Sequence, residues 1–244
     1  MQSGHLIDIL FVIWYSLGHK KENLEPITTM YAAFFDLDHT ILNVSSGRIM
    51  FNGSCTHQLI GRKEICKAMI MTMLNRMGIL SAESAIERSL RWYRGMSVEM
   101  FKPTAVYCGE KLKGEIRSDA RKEVKFHQDK GAHTVILSAS TTFLCEQIKM
   151  ELQIDDIICT ELELIDDRFT GKMKGRYCYG TEKLVRARQY CKDKGLRMED
   201  AFYYADSISD LPVFEAVGVP VCVTPDKKLE RIALKRGWKI NRWK

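Results

Sequence analysis

The 244-residue chain has eight cysteines but no C-x-x-C pair, and none of its six histidines clusters with them. A zinc site is therefore not expected. A disulfide framework is not expected in a chain of this length either, so the thiols read as reduced and buried, in a cytoplasmic protein. No apolar run reaches the roughly 20 residues that a membrane-spanning helix needs. The apolar stretch Leu6 to Leu17 falls short and contains Asp8. It also lacks the marks of a signal peptide: no Lys or Arg precedes it, no small-residue cleavage site follows, and Lys20 and Lys21 lie on the wrong side. Residues 1–30 read as an N-terminal extension packed on the body, with an interfacial or partner-docking helix as the alternative. Repeats and low-complexity tracts are missing. The net charge of +6 comes with no nucleic-acid-binding motif, so no such partner is expected. Membrane contact through Leu6 to Leu17 is not favoured, and the sequence does not fix an oligomeric state.

What is there is ordinary for a soluble globular protein, with 45% apolar and 28% charged residues. The length accommodates one large domain, or a core plus an insertion. The chain is organised around Tyr31 to Thr40. Tyr31 to Phe35 suits a strand buried on both faces of a parallel sheet. It ends in Asp36 and Asp38, two residues apart, then Thr40. The carboxyl ends of such strands are where open α/β sheets hold ligands. Two adjacent carboxylates repel unless a cation sits between them, and Mg²⁺ is the usual answer. One of them can then serve as a nucleophile.

From about Ser45 to Ser118 the periodicity is helical. Helices are expected over His57 to Met77, Ala82 to Tyr93 and Val98 to Leu112. Some seventy residues exceed a crossover loop and imply an inserted helical subdomain. Met69, Met71, Met73 and Met77 read as filler between those helices, with a pocket lining as the alternative. The same choice applies to Trp92 and Tyr93. Beyond the insertion, helices are expected over Asp119 to Lys130, Thr141 to Leu152, Thr181 to Lys194, Ser209 to Val217 and Asp226 to Arg236. Strands are expected over Thr134 to Leu137, Ala201 to Ala205 and Val219 to Val223. Ile157 to Leu164 and Arg168 to Tyr177 should form a hairpin about Asp166 and Asp167. The alternation predicts an α/β fold: a Rossmann-like, mostly parallel sheet with helices on both faces, plus an all-helical cap. The domains are then 31–44 with 119–244 as core, and 45–118 as cap.

Three further stretches carry chemistry. Ser138 sits where a strand meets a helix, a natural anion site. Lys183 lies in the first turn of a helix, where a cation is disfavoured unless an anion balances it. Tyr203 to Asp210 repeats the first pattern, an apolar strand ending in Asp206 with Asp210 four residues on. Four carboxylates would converge, an arrangement poorly stable without Mg²⁺.

These elements, in this order, resemble the haloacid dehalogenase superfamily, closest to its subfamily IB, the phosphoserine-phosphatase-like branch. The resemblance runs from Tyr31 to Trp238. It implies a Mg²⁺-dependent phosphomonoesterase acting on a small phosphorylated substrate. Asp36 would be the nucleophile and Asp38 the general acid and base. Thr40, Ser138 and Lys183 would bind phosphate. Asp36, Asp206 and the main-chain carbonyl of Asp38 would hold the metal, with Ser209 and Asp210 behind them. A phosphotransferase would use the same residues, and a lysophospholipid or phosphoserine-type substrate is the other alternative. The sequence departs from the pattern in three places. His39 stands where many relatives have a small residue. Ser209 replaces the asparagine of phosphoserine phosphatases. Asn43 to Phe51 lacks the glutamate that holds the substrate's amino group there. The segment 45–118 also carries twelve Lys and Arg against six Glu and no Asp, a net +6. A cationic lid of this kind would favour substrates with added negative charge.

Overall fold

The computed structural model describes residues 30–244. The reading of Leu6 to Leu17 lies outside the described residues. Strand β1 (Ala32–Phe35) is followed by a tight turn, Leu37–Ile41, and four helices: α1 (Ser46–Thr56), α2 (Arg62–Arg76), α3 (Ala82–Leu90) and α4 (Val98–Gly114). Next come α5 (Ser118–Asp129), β2 (His133–Thr141), α6 (Thr142–Leu152), β3 (Asp156–Thr160), β4 (Leu162–Ile165) and β5 (Arg168–Met173). The chain ends with α7 (Thr181–Lys194), β6 (Phe202–Ala205), α8 (Leu211–Phe214), β7 (Val219–Val223), α9 (Lys227–Arg236) and β8 (Lys239–Asn241). No helix among the described residues is long and apolar enough to cross a membrane.

Six strands form one parallel sheet in the order β3-β2-β1-β6-β7-β8. β1 is fully buried, and its residues alternate between two cores. Ala33 and Phe35 point to one core with Ile136, Tyr204 and Val221. Ala32 and Phe34 point to the other with Val135, Leu137 and Tyr203. Burial on both faces explains why the run is continuously apolar rather than alternating. β1 and β6 are neighbours in register, Phe35 beside Tyr204. Asp36 and Asp206 therefore emerge from the same end of the sheet.

Several expectations need correction. The helix expected over His57 to Met77 is shorter: α2 starts at Arg62, because the chain turns left-handed at Gln58 (φ 56°) after α1 ends at Thr56. α1, which precedes that turn, was not anticipated as an element. Met69, Met73 and Met77 are not filler, because all three are exposed. Tyr93, by contrast, is buried, and its hydroxyl meets Ser54 Oγ at 2.9 Å. Ile157 to Leu164 is not one strand. β3 completes the main sheet, while β4 pairs antiparallel with β5. The Asp166-Asp167 turn does close that hairpin. Both residues adopt positive φ (47° and 57°), the backbone a two-residue turn requires. The helix expected from Ser209 is a 3₁₀ turn followed by the single turn of α8, and β8 was not foreseen.

The hairpin is fastened to the insertion. Gly95 N–H donates to Phe169 O at 2.8 Å, Phe169 N–H to Met96 O at 3.0 Å, and Val98 N–H to Asp167 O at 2.9 Å. At Gly171 (φ 78°) a Cβ would come within 3.1 Å of the Arg91 backbone, so the close approach requires glycine.

Candidate active site

A cavity of about 220 Å³ opens at the carboxyl end of β1, β2 and β6. Seven of the eight side chains expected to act together line it: Asp36, Asp38, Ser138, Lys183, Ser209, Asp206 and Asp210. Thr40 is the exception. It is fully buried in the turn behind Asp38, and its hydroxyl has no partner there. Thr40 is thus the one expected phosphate ligand that does not line the cavity.

Lys183 is the centre of the arrangement. Gly180 takes φ 55°, ψ −122°, a conformation that favours glycine, and starts α7 so that Lys183 falls in its first turn. The Lys183 ammonium lies 3.0 Å from Asp36 Oδ1 and 2.8 Å from Asp210 Oδ2. The Tyr203 hydroxyl also donates to Asp210 Oδ2, at 2.8 Å. Lys183 and Asp210 are 2% and 1% exposed in their side chains. Burial alone would discharge Lys183. The carboxylates of Asp210 and Asp36 more than reverse this and hold the ammonium well above its ordinary range.

One ammonium does not neutralise the acidic cluster. Burial, with Asp36 and then Asp210 beside it, pushes the Asp206 carboxyl up to about 8. Asp210 Oδ1 is buried with no hydrogen-bond partner. An uncompensated carboxylate and an orphaned oxygen are what a missing cation would leave behind. The donors are all hard oxygens, which suits Mg²⁺. That ion is commonly held by one or two carboxylates plus water and phosphate oxygens. No group of three or more His, Cys, Asp or Glu side chains among the described residues is arranged as a metal cage. The fit is thus to an ion with few protein ligands.

Asp38 is held from the insertion side. Ser45 Oγ donates to its Oδ2 at 3.1 Å and Ser46 N–H to its Oδ1 at 2.9 Å. Ser45 stands at the start of α1, yet it gives its hydroxyl to Asp38 instead of capping its own helix. Ser46 Oγ in turn pairs with Ser140 Oγ at 2.7 Å, linking the first turn of α1 to β2. Ser138 Oγ accepts from Ser140 N–H at 3.2 Å, which leaves the Ser138 proton free for a ligand. On the far side, Asp226 Oδ2 accepts from Ile208 N–H at 2.8 Å and so fixes the loop carrying Asp206 to Asp210. Sequence reasoning missed Ser45, Ser46, Ser140 and Asp226. The Ser-Ser pair ahead of a helix was the available signal for the first two. It also passed over Tyr179, which lines the cavity with its ring stacked on Tyr177. His39 lines it too, with its backbone in the left-handed region at φ 56°.

A larger cavity of about 440 Å³ lies between 214–220 and 236–239, at the amino end of β7. Its Arg236 and Glu215 satisfy each other, and it holds no cluster of acids or nucleophiles. The chemistry belongs to the smaller cavity.

Residues 33–215 match the family model of the haloacid dehalogenase-like hydrolases. The chain is 27% identical over 224 residues to phosphoserine phosphatase SerB1 of Mycobacterium tuberculosis, covering 88% of this chain and 71% of that protein. A solved structure of a protein of unknown function from Bordetella pertussis Tohama I superposes with a TM-score of 0.81 at 26% identity, covering 88% of this chain and 99% of that one. A phosphoserine phosphatase solved as a phospho-aspartyl intermediate analogue shares the fold at TM-score 0.64 and 16% identity, covering 87% and 93%. A parallel sheet that gathers two Asp-tipped strands around a buried lysine, and a family model spanning three quarters of the chain, lead to one conclusion: the chain belongs to the haloacid dehalogenase-like hydrolase family.

Proposed function

We propose that this chain is a Mg²⁺-dependent phosphomonoesterase that acts through an aspartyl-phosphate on a small, anionic phosphorylated metabolite. One observation carries the proposal: a fully buried lysine bridges Asp36 and Asp210 in the cavity that Asp206 also lines. Such a cluster is costly as structure and useful as chemistry.

In this reading Asp36 attacks phosphorus in line. The P–O bond to the alcohol breaks as the bond to the Asp36 carboxylate forms. Asp38 gives its proton to the departing oxygen, then takes one from the water that hydrolyses the aspartyl-phosphate. Ser45 and Ser46 keep its carboxyl aimed through both steps. Lys183 and Ser138 bind the phosphoryl oxygens. Asp36, Asp206 and the carbonyl of Asp38 would hold Mg²⁺, with Ser209 and Asp210 supporting them. When bound, the ion screens the carboxylates from the phosphate and stabilises charge on the transferring oxygens. Residues 45–118 act as the cap over a core formed by 31–44 and 119–244. The +6 carried by that segment draws anionic substrates, most strongly at low salt.

The test is turnover of p-nitrophenyl phosphate with Mg²⁺, with EDTA, and after Mg²⁺ is restored. Activity should vanish in EDTA and return with the ion. Equal turnover in EDTA would refute the metal assignment. Phosphoserine should be a poor substrate beside more strongly anionic phosphomonoesters such as nucleotides, and raising the salt should weaken the nucleotide kcat/KM. A preference for phosphoserine would overturn the substrate assignment.

A further inference from the structure

The groups that form the cavity differ in what they have left to offer. Lys183 is committed to Asp36 and Asp210. Ser140 is tied to Ser46, and the Ser207 hydroxyl accepts from Ser209 N–H. No residue of 45–118 lines the cavity. Once the phosphoryl and metal roles are filled, no spare ammonium or carboxylate remains on the wall to grip an amino-acid head. What remains uncommitted is planar. Tyr179 and His39 line the cavity, both are exposed, and neither ring has a hydrogen-bond partner among the described residues. Tyr179 is 42% exposed, and its plane is fixed from behind: Tyr177 stacks on it at 5.5 Å between centroids, 8° from parallel. Two tyrosines stacked at a cavity wall present a rigid π face at little entropic cost.

We infer that the alcohol released by this enzyme carries a flat aromatic or heteroaromatic ring, which stacks on Tyr179 while the phosphoryl group lies against Lys183 and Asp36. The inference rests on the phosphomonoesterase reading above and narrows it to a substrate class. Stacking on an aromatic side chain discriminates a flat ring from a puckered ring of the same size by about tenfold.

The experiment uses two substrates of matched size and matched leaving-group acidity, 2-phenylethyl phosphate and 2-cyclohexylethyl phosphate, assayed with Mg²⁺. The wild-type enzyme should favour the phenyl substrate about tenfold in kcat/KM. Tyr179→Leu, which keeps apolar bulk and removes the ring, should bring that ratio close to one. Tyr179→Phe should preserve it. The ratio is internal to each variant, so a general loss of folded protein does not move it. Equal turnover of both substrates by the wild type overturns the inference and leaves the phosphomonoesterase reading standing. A ratio that survives Tyr179→Leu does the same. Turnover of neither substrate, nor of p-nitrophenyl phosphate, overturns both.

Discussion

At the carboxyl ends of β1 and β6, charge is buried and apolar surface is covered. Across helices α1 to α4, much of the charge is exposed, and so is a good deal of the apolar surface. Lys183 sits between two carboxylates, almost out of reach of water. In α2, Met69, Ile70 and Met73 are 62%, 58% and 63% exposed, and the nearby ion pair Lys67–Glu64 spans 3.9 Å at the surface. The two regions answer to different costs. In the first, moving one side chain strands a charge in a low-dielectric interior, worth several kcal/mol. In the second, moving one changes little that water does not already touch. Geometry is therefore fixed at the acidic cluster and left open across the exposed helices.

The sharpest way to separate the regions is Asp36→Asn. It should lower kcat roughly a thousandfold or more, as expected when a nucleophile is lost. The melting temperature should change little, since the amide is isosteric and relieves repulsion with Asp206 and Asp210. Near wild-type turnover would mean that the nucleophile lies elsewhere. Asp38→Asn should lose roughly 10²- to 10⁴-fold through proton transfer alone. Lys183→Met extends the comparison from rate to stability. It leaves Asp36 and Asp210 facing each other unpaired and should cost about 3–5 kcal/mol in urea unfolding with EDTA present. Lys67→Met in the insertion should cost under about 1 kcal/mol. Similar losses for the two lysines would erase the distinction.

The same division decides what could be read from the sequence. The strand tips were legible because a continuous apolar run that stops in Asp-x-Asp encodes both burial and chemistry locally. Lys183 was legible because a cation in the first turn of a helix asks for an anion. α1 was not. Its buried face is Ser46, Ile49, Met50, Gly53 and Ser54, so small and polar residues interrupt the apolar period. They are small because α4 is close: a Cβ on Gly53 would come within 2.8 Å of Tyr107. The bridge between Ser97 and Arg168, which fastens the hairpin to the insertion, joins positions far apart in sequence. No local pattern announces such a contact. Thr40 misled for the opposite reason. The motif places it beside Asp38 in sequence, while the left-handed His39 between them turns it away from the cavity.

A third test moves behind the site, to His127 beneath β1 and β6. Tyr204 donates its hydroxyl proton to Glu123 at 2.6 Å and accepts from His127 Nε2 at 2.8 Å. His127 Nδ1 must then accept from the Tyr31 hydroxyl, 2.9 Å away. The ring is fully buried and held neutral. Burial pushes it down to about 4, although Glu123 pulls the other way. The unfolded chain protonates near 6.5. Between these values the unfolded state binds more protons, so stability is intact above pH 6.5 and falls as the pH drops towards 4. The loss should reach roughly 2–3 kcal/mol. Urea unfolding from pH 7 to pH 4 measures it, and His127→Gln should flatten that part of the profile. An unchanged slope in the variant would mean that His127 is not the source of the acid sensitivity.

The smallest effect belongs to the exposed apolar face of the insertion. The methionine spacing on α2 looks like core, but burial, not spacing, sets the energetic cost of replacing a side chain. Met69 and Met73 stay mostly in water after folding, so replacing them removes little transfer free energy. Glutamine has nearly the helix propensity of methionine, so the backbone is not penalised either. Met69→Gln and Met73→Gln should therefore each shift stability by no more than about 0.5 kcal/mol. Leu112→Ala, at a fully buried position on α4 in the same insertion, should cost about 2–5 kcal/mol. A buried and an exposed position of one insertion then differ about fourfold or more in cost. A loss above about 1.5 kcal/mol for either methionine would mean that the face is covered in solution, and the contrast between a committed site and an open insertion would have to be redrawn around whatever covers it.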